Sequence, residues 1–116
     1  MSRAMDTPRL NRRLVLEAPV VAPDGAGGFT ETWTAQGVVW AELRPGTGRE
    51  SFGDAVTLAR VPFRITLRAA PPGAPSRPEP GQRLREGTRI FTILAVAERD
   101  PEGQYLTCFA REEVAA

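Results

Sequence analysis

Residues 60–69 read Arg-Val-Pro-Phe-Arg-Ile-Thr-Leu-Arg-Ala. Val61, Phe63, Ile65 and Leu67 alternate with Pro62, Arg64, Thr66 and Arg68. A period of two sends successive side chains to opposite faces of an extended chain, so this stretch is a strand with one apolar face and one face of cations. Pro62 has no N–H for a ladder, which places the start of the strand at an edge or a bulge.

Working outward, the same period recurs. Residues 70–80, APPGAPSRPEP, cannot ladder and form a surface loop. Gln82–Arg85 and Thr88–Ala97 flank a Glu86-Gly87 turn. The second of these segments is apolar on both faces, with Ile90, Leu94 and Val96 on one and Phe91, Ile93 and Ala95 on the other, so it is expected to be central and covered. Asp100-Pro101-Glu102-Gly103 is a β-turn, and Tyr105–Ala110 is the last strand. Upstream, Val38–Leu43 reads as one strand and Phe29–Trp33 as another. The glycine-rich turn 24–28 joins the latter to a first strand, Arg12–Ala22, whose Pro19 and Pro23 mark it as irregular or at an edge. Residues 46–59, GTGRESFGDAVTLA, stay undecided between a long loop and one or two helical turns.

The fold class that follows is all-β: a small antiparallel barrel or sandwich of about six strands with one long excursion loop, its strand order left open. Residues 1–11 are polar and contain Pro8, so they read as a flexible arm; 12–112 form the barrel domain and 113–116 a short tail. Trp33 and Trp40 are expected in the core. Cys108 is expected to be a small buried apolar residue.

The composition excludes more than it suggests. Among 116 residues there is no histidine, and all fifteen cations are arginine. That removes histidine-based triads, histidine-ligated metals, Schiff-base lysines and the P-loop lysine, so neither an enzyme nor a cofactor is expected. One cysteine makes no internal disulfide. The segment MSRAMDTPRLNRR lacks the apolar stretch of a secretory signal, and no apolar run approaches the ~18 residues that cross a membrane. A net charge of +1 weakens any reading as a tight, non-specific nucleic-acid binder.

That charge is unevenly spread. Residues 1–16 hold four arginines and one acid, and 17–59 hold two arginines and six acids. Residues 60–89 hold seven arginines and two acids, and 90–116 two arginines and five acids. Such blocks suit subunits meeting head to tail, or simply a mixed soluble surface. Arg60, Arg64 and Arg68 share one strand face, where guanidinium groups suit pairing with a partner's carboxylates. Gly48-Arg49-Glu50 is, taken alone, a turn with a surface charge pair.

The order of these features carries a resemblance. Leu14-Val15-Leu16 follows arginine; then come Gly27-Gly28, Trp33, Val39-Trp40-Ala41-Glu42-Leu43 and Gly48-Arg49-Glu50. The strand ending Ile65-Thr66-Leu67-Arg68, Gly87 before a long apolar strand, and Leu106-Thr107-Cys108 complete it. Over residues 10–112 the chain resembles the phage head–tail joining (head-closure, or stopper) family. Its arginine-rich, lysine-free character and REEVAA ending look like the neck stoppers of gene transfer agents. The resemblance implies a barrel protomer in a virion neck, assembled in the bacterial cytoplasm into a homo-oligomeric ring, six copies being expected. It implies a portal or adaptor ring on the head side, a tail terminator or tail tube on the tail side, and double-stranded DNA passing through. The family's gating loop corresponds to Gly46–Ala59, with Gly46, Gly48, Arg49, Glu50, Phe52 and Asp54 facing the channel. Arg12, Arg13, Arg60, Arg64 and Arg68 are the candidates for subunit or ring contacts. The competing readings are an OB-like nucleic-acid-binding barrel, which would want stacking aromatics in a basic groove, and another neck or tail part such as a tail terminator.

Overall fold

The computed structural model describes residues 7–46 and 60–113. Six strands follow in order: β1 (Arg12–Pro23), β2 (Phe29–Pro45), β3 (Arg60–Arg68), β4 (Arg83–Glu86), β5 (Arg89–Glu98) and β6 (Tyr105–Glu113). All neighbours are antiparallel, and the order β1-β2-β3-β6-β5-β4 closes through β4 pairing with β1. The expected all-β barrel is thus a closed one.

The inward faces supply the core. Leu14 and Leu16 of β1, Val39 and Ala41 of β2, and Ile65 and Leu67 of β3 are buried. Leu84, Phe91, Ile93, Leu106, Cys108 and Ala110 complete the set from the other three strands. Each fully buried leucine or isoleucine contributes roughly 2 kcal/mol through the apolar surface it removes from water. Phe63 and Phe91 meet edge to face, 5.2 Å between centroids, toward one end of the barrel. Burial pushes the Cys108 thiol up to about 12, so it is an inert core group, as expected.

Two bulges change what the sequence suggested. Phe29–Trp33 and Val38–Leu43 are halves of a single 17-residue strand. Between them the register slips by one, from Leu16 opposite Gly37 to Glu17 opposite Ala35. Gln36 is the extra residue, and Gly37 takes a φ of 149°, which side chains rarely tolerate. The second bulge is in β5: Ile93 faces Ala110 and Ala95 faces Phe109, leaving Leu94 over. The inward set therefore switches phase, from Phe91 and Ile93 to Val96, and Leu94 is left 43% exposed. In a closed barrel no strand is central: β5 pairs with β4 and β6, and its outer face is open, against the expectation of a central, covered strand.

The bulge in β2 also corrects the reading of the tryptophans. An extra residue between them brings Trp33 and Trp40 to the outer face together. Trp40 lies opposite Arg13 and is 52% exposed, while Trp33 is half-buried beneath Arg83. Neither belongs to the buried core.

β1 and β2 outrun the barrel. β4 covers β1 only from Val15 to Glu17, so Ala18–Pro23 pairs with β2 alone. The result is a two-stranded arm. At about 3.3 Å per residue β2 spans about 55 Å, and the long axis of the protein measures 61 Å. The radius of gyration, 15.7 Å, exceeds the roughly 13 Å of a compact domain near this size. At the tip, the Asp24 carboxylate accepts the N–H groups of Ala26 and Gly28, closing the turn and holding the acid below its usual value.

The remaining connections follow their sequence chemistry. Gly87 begins a two-residue turn with φ 59° between β4 and β5. The Asp100 carboxylate accepts from the amides of Gln104 and Tyr105. Residues 70–80 form a looped surface segment with Pro78 buried and Arg77 donating to the Ala70 carbonyl. The Pro62 carbonyl accepts from the Gly46 amide at 2.8 Å. A residue's N and O point to the same side of an antiparallel strand, so the missing Pro62 donor faces beyond the last β2–β3 pair, Pro45–Phe63. Of the expected arm, residues 7–11 lie against the barrel, with Pro8 buried and the Arg9 amide donating to Glu42.

Candidate assembly interface

The barrel has two distinct ends. At one, β1 and β5 begin, β2, β4 and β6 finish and β3 starts. At the other are the β1–β2 arm, the proline-rich loop 70–80 and the Asp100 turn. The first end is bound by ion pairs. Arg12 makes a two-pronged contact with Glu86, at 2.7 Å and 2.6 Å. Glu86 also faces Arg89 at 3.5 Å, and Arg89 grips Glu112 at 2.7 Å and 3.1 Å. The guanidinium of Arg89 sits over both Phe91 and Phe63, capping the core. The hydrogen bond to Glu86 raises Arg12 above its ordinary value, and the same bond holds the Glu86 carboxyl low. The bond to Glu112 likewise raises Arg89.

A second ion-pair group fixes the base of the arm. Glu17 accepts from Arg83 at 2.7 Å and from Arg85 at 2.9 Å, and is 6% exposed. Burial pushes its carboxyl up, but the hydrogen bonds from Arg83 and then Arg85 outweigh this and leave it low. Arg83 also stacks on Trp33 with its carbon 4.1 Å from the ring centroid. The charge blocks read in sequence are in part paired within the fold: the acid-rich block supplies Glu17 to two arginines of the 60–89 block, and Glu112 meets Arg89.

The outer wall carries the arginines of β3. Arg64 lies over Phe109 and Arg68 over Tyr105, each 5.8 Å from the centroid, both aromatics belonging to β6. Arg13 is exposed on the outer face of β1. Trp40, Val38, Leu10 and Arg68 line one shallow groove there, and Pro62, Phe63, Arg64, Leu94, Phe109 and Arg111 are among those lining another. Of the expected contact residues, the fold gathers Arg13 and Arg68 beside Trp40, and puts Arg64 further along the same outer face of β3, beside Phe109. Arg12 stands apart, in the ion pairs at the barrel end. Arg60 pairs through its backbone with Glu113 in β6.

Of the expected channel residues, Gly46 sits at the rim, half-buried, tied to Pro62. Gly48, Arg49, Glu50, Phe52 and Asp54 lie outside the described residues. The ends of their segment, Gly46 and Arg60, emerge beside each other at the ion-paired end. Among the described residues no cluster of three or more His, Cys, Asp or Glu is placed to hold a metal ion, and no helix is long and apolar enough to cross a membrane. Sequence reasoning read the β1–β2 hairpin but missed that it outruns the barrel, and it missed the exposed Trp40 and the Glu17 pairing. Gly37 inside an apolar run was the available signal of a bulge.

Residues 5–113 match the phage head completion protein family. The chain belongs to the phage head completion protein family. Among solved structures, this head completion protein is similar to a chain in the virion of a native gene transfer agent particle. The two are 64% identical, the match covers 95% of this chain and 100% of that one, and the TM-score is 0.79. Protein SF1141 from Shigella flexneri 2a shares the fold at 21% identity, with 93% and 96% covered and a TM-score of 0.66. No curated protein matches. The resemblance drawn from residue order is met in both family and particle type. Head completion proteins are structural virion components, which points away from catalysis.

Proposed function

We propose that this head completion protein forms a ring in the neck of a phage-like particle, joining the DNA-filled head to the tail. The carrying observation is the 64% identity, over the full length of the matched chain, to a component of a native gene transfer agent virion. Copies of the chain, six by family resemblance, surround a channel through which double-stranded DNA passes. A portal or adaptor ring lies on one side and a tail terminator or tail tube on the other.

The physical features fit that task. The closed ring of six strands leaves free edges only where β1, β2 and β5 outrun their short neighbours, and so offers a rigid building block. Internal ion pairing and a net charge of +1 keep the surface from gripping phosphates, which sliding DNA requires. The segment Gly46–Ala59 leaves and re-enters at one rim, which supports reading it as the loop that reaches the lumen. In that reading Glu50 and Asp54 repel phosphates, Arg49 steers them, and Phe52 packs against its copies. Arg13, Arg60, Arg64 and Arg68 face neighbouring subunits or rings, and Arg12 holds the rim through Glu86. Particles assembled without this chain are expected to accumulate as heads lacking tails and losing DNA. Normal tailed, DNA-filled particles in its absence would contradict the reading.

A further inference from the structure

The arm is the part of the molecule that the barrel does not explain. Register places Pro19 opposite Trp33, Val21 opposite Glu31 and Pro23 opposite Phe29, so these six side chains share one face. Trp33 is anchored under Arg83. Beyond it the face lies open: Phe29 is 72% exposed and Val21 60%. A two-stranded hairpin standing in water is marginal by itself, and this one spends its apolar residues outward. Pro19 and Pro23 remove ladder donors from the β1 edge, so the face of the arm, and not that edge, is the surface on offer. Residues 18–36 carry two acids, Asp24 and Glu31, and no cation. Asp24 is spent on closing the turn. Glu31 is exposed and has no ion-pair partner among the described residues.

A complementary site lies on the outer wall of the same chain. Pro62, Phe63, Leu94, Phe109 and Ala110 line a concavity of about 280 Å³ bordered by Arg64 and Arg111, with no acid in its lining. Leu94 is turned out by the β5 bulge, and Phe109 is also exposed. The Nε of Arg111 is buried and finds no hydrogen-bond partner among the described residues. Arg111 as a whole is only half-buried and lines the hollow, so its charge stands at the edge for an incoming carboxylate.

We infer that the arm of one copy docks its Val21–Phe29 face into the β3–β5–β6 concavity of the next copy, with Glu31 pairing to Arg111. Arm and concavity are different surfaces of one chain, so the contact is heterologous, the kind that propagates around a ring. Apolar and charge matching coincide: an acidic, cation-free arm meets an apolar, acid-free hollow edged by arginine. This contact rests on the ring reading above and names its subunit interface.

The test uses particles assembled with Phe29→Cys/Leu94→Cys protein and a short bis-maleimide. The native Cys108 stays silent, being buried with its thiol pushed up to about 12. Cross-linked species beyond the dimer, requiring both cysteines, are the expected result. Glu31→Arg should lower their yield about tenfold, and adding Arg111→Glu should restore it to within about twofold, as a coupled pair does. Because Glu31 lies on the exposed arm, its variant reads the contact even where Arg111→Glu fails to fold. No ladder, a link within one chain, a link only to another particle protein, or a ladder indifferent to Glu31→Arg overturns the contact. Imaging of the same particles separates the two levels: several copies on the axis without the ladder overturn this contact alone, whereas absence from the axis overturns the ring as well.

Discussion

Glu17 shows how one residue ties the outer wall to the arm. It sits on the outward phase of β1 yet is almost fully covered, because Arg83 and Arg85 of β4 fold over it. Replacing the carboxylate leaves two guanidinium groups beside a neutral acceptor. Glu17→Gln is therefore expected to cost about 2 kcal/mol in urea unfolding at neutral pH. The pH dependence has a definite sign. Glu17 and Glu86 both have carboxyls held low in the folded protein, so each is more easily protonated in the unfolded chain. Their stabilisation is complete above the ordinary carboxylate value of about 4.3 and is lost as pH falls through the lowered folded values. The wild-type urea midpoint should hold between about pH 5 and 7 and drop below about pH 4. The Glu17→Gln/Glu86→Gln double variant should show a distinctly shallower acid drop. An equal drop in both proteins would mean that these pairs do not set the acid limit.

Among the elements, alternation made the strands legible and bulges hid how they continue. The run from Val61 to Leu67 keeps an unbroken period: Ile65 and Leu67 are buried and Phe63 is half-buried against the core, while Val61 at the start is exposed and Thr66 of the other face is covered. β2 does not keep one. Gln36 adds a residue, the phase reverses, and a strand 17 residues long reads as two short ones with a break between them. The same event at Leu94 makes β5 look apolar on both faces when only one inward set exists at any point along it. The ion pairs were invisible for a different reason. Arg12 and Glu86 are 74 positions apart, and only closure of the barrel brings them together. The expected channel residues other than Gly46 fall outside the described structure, and the contact arginines became interpretable only with their aromatic neighbours. No core residue lies between positions 17 and 38, so the arm is expected to be dispensable for folding. Replacing Pro19–Thr34 with a short turn should cost about 1 kcal/mol, the Arg83–Trp33 stack, with the β-sheet circular dichroism retained. A variant that does not fold would contradict this division into barrel and arm.

For the whole molecule, the account is of a rigid barrel with different equipment at its two ends. Ion pairs and the entry and exit of Gly46–Ala59 mark one end; a long apolar-faced arm projects at the other. Family membership and the likeness to a gene transfer agent virion chain place such a molecule in a phage-like particle. The ring organisation, the arm contact and the channel-facing rim are the parts proposed above. Reconstruction of the particle neck without imposed symmetry tests them together most directly. The account predicts several copies arranged around the particle axis, each arm laid on the next barrel, and the rim bearing Gly46 and Arg60 turned toward the lumen. A single copy off the axis, or a ring whose Gly46 rim faces outward, would contradict it.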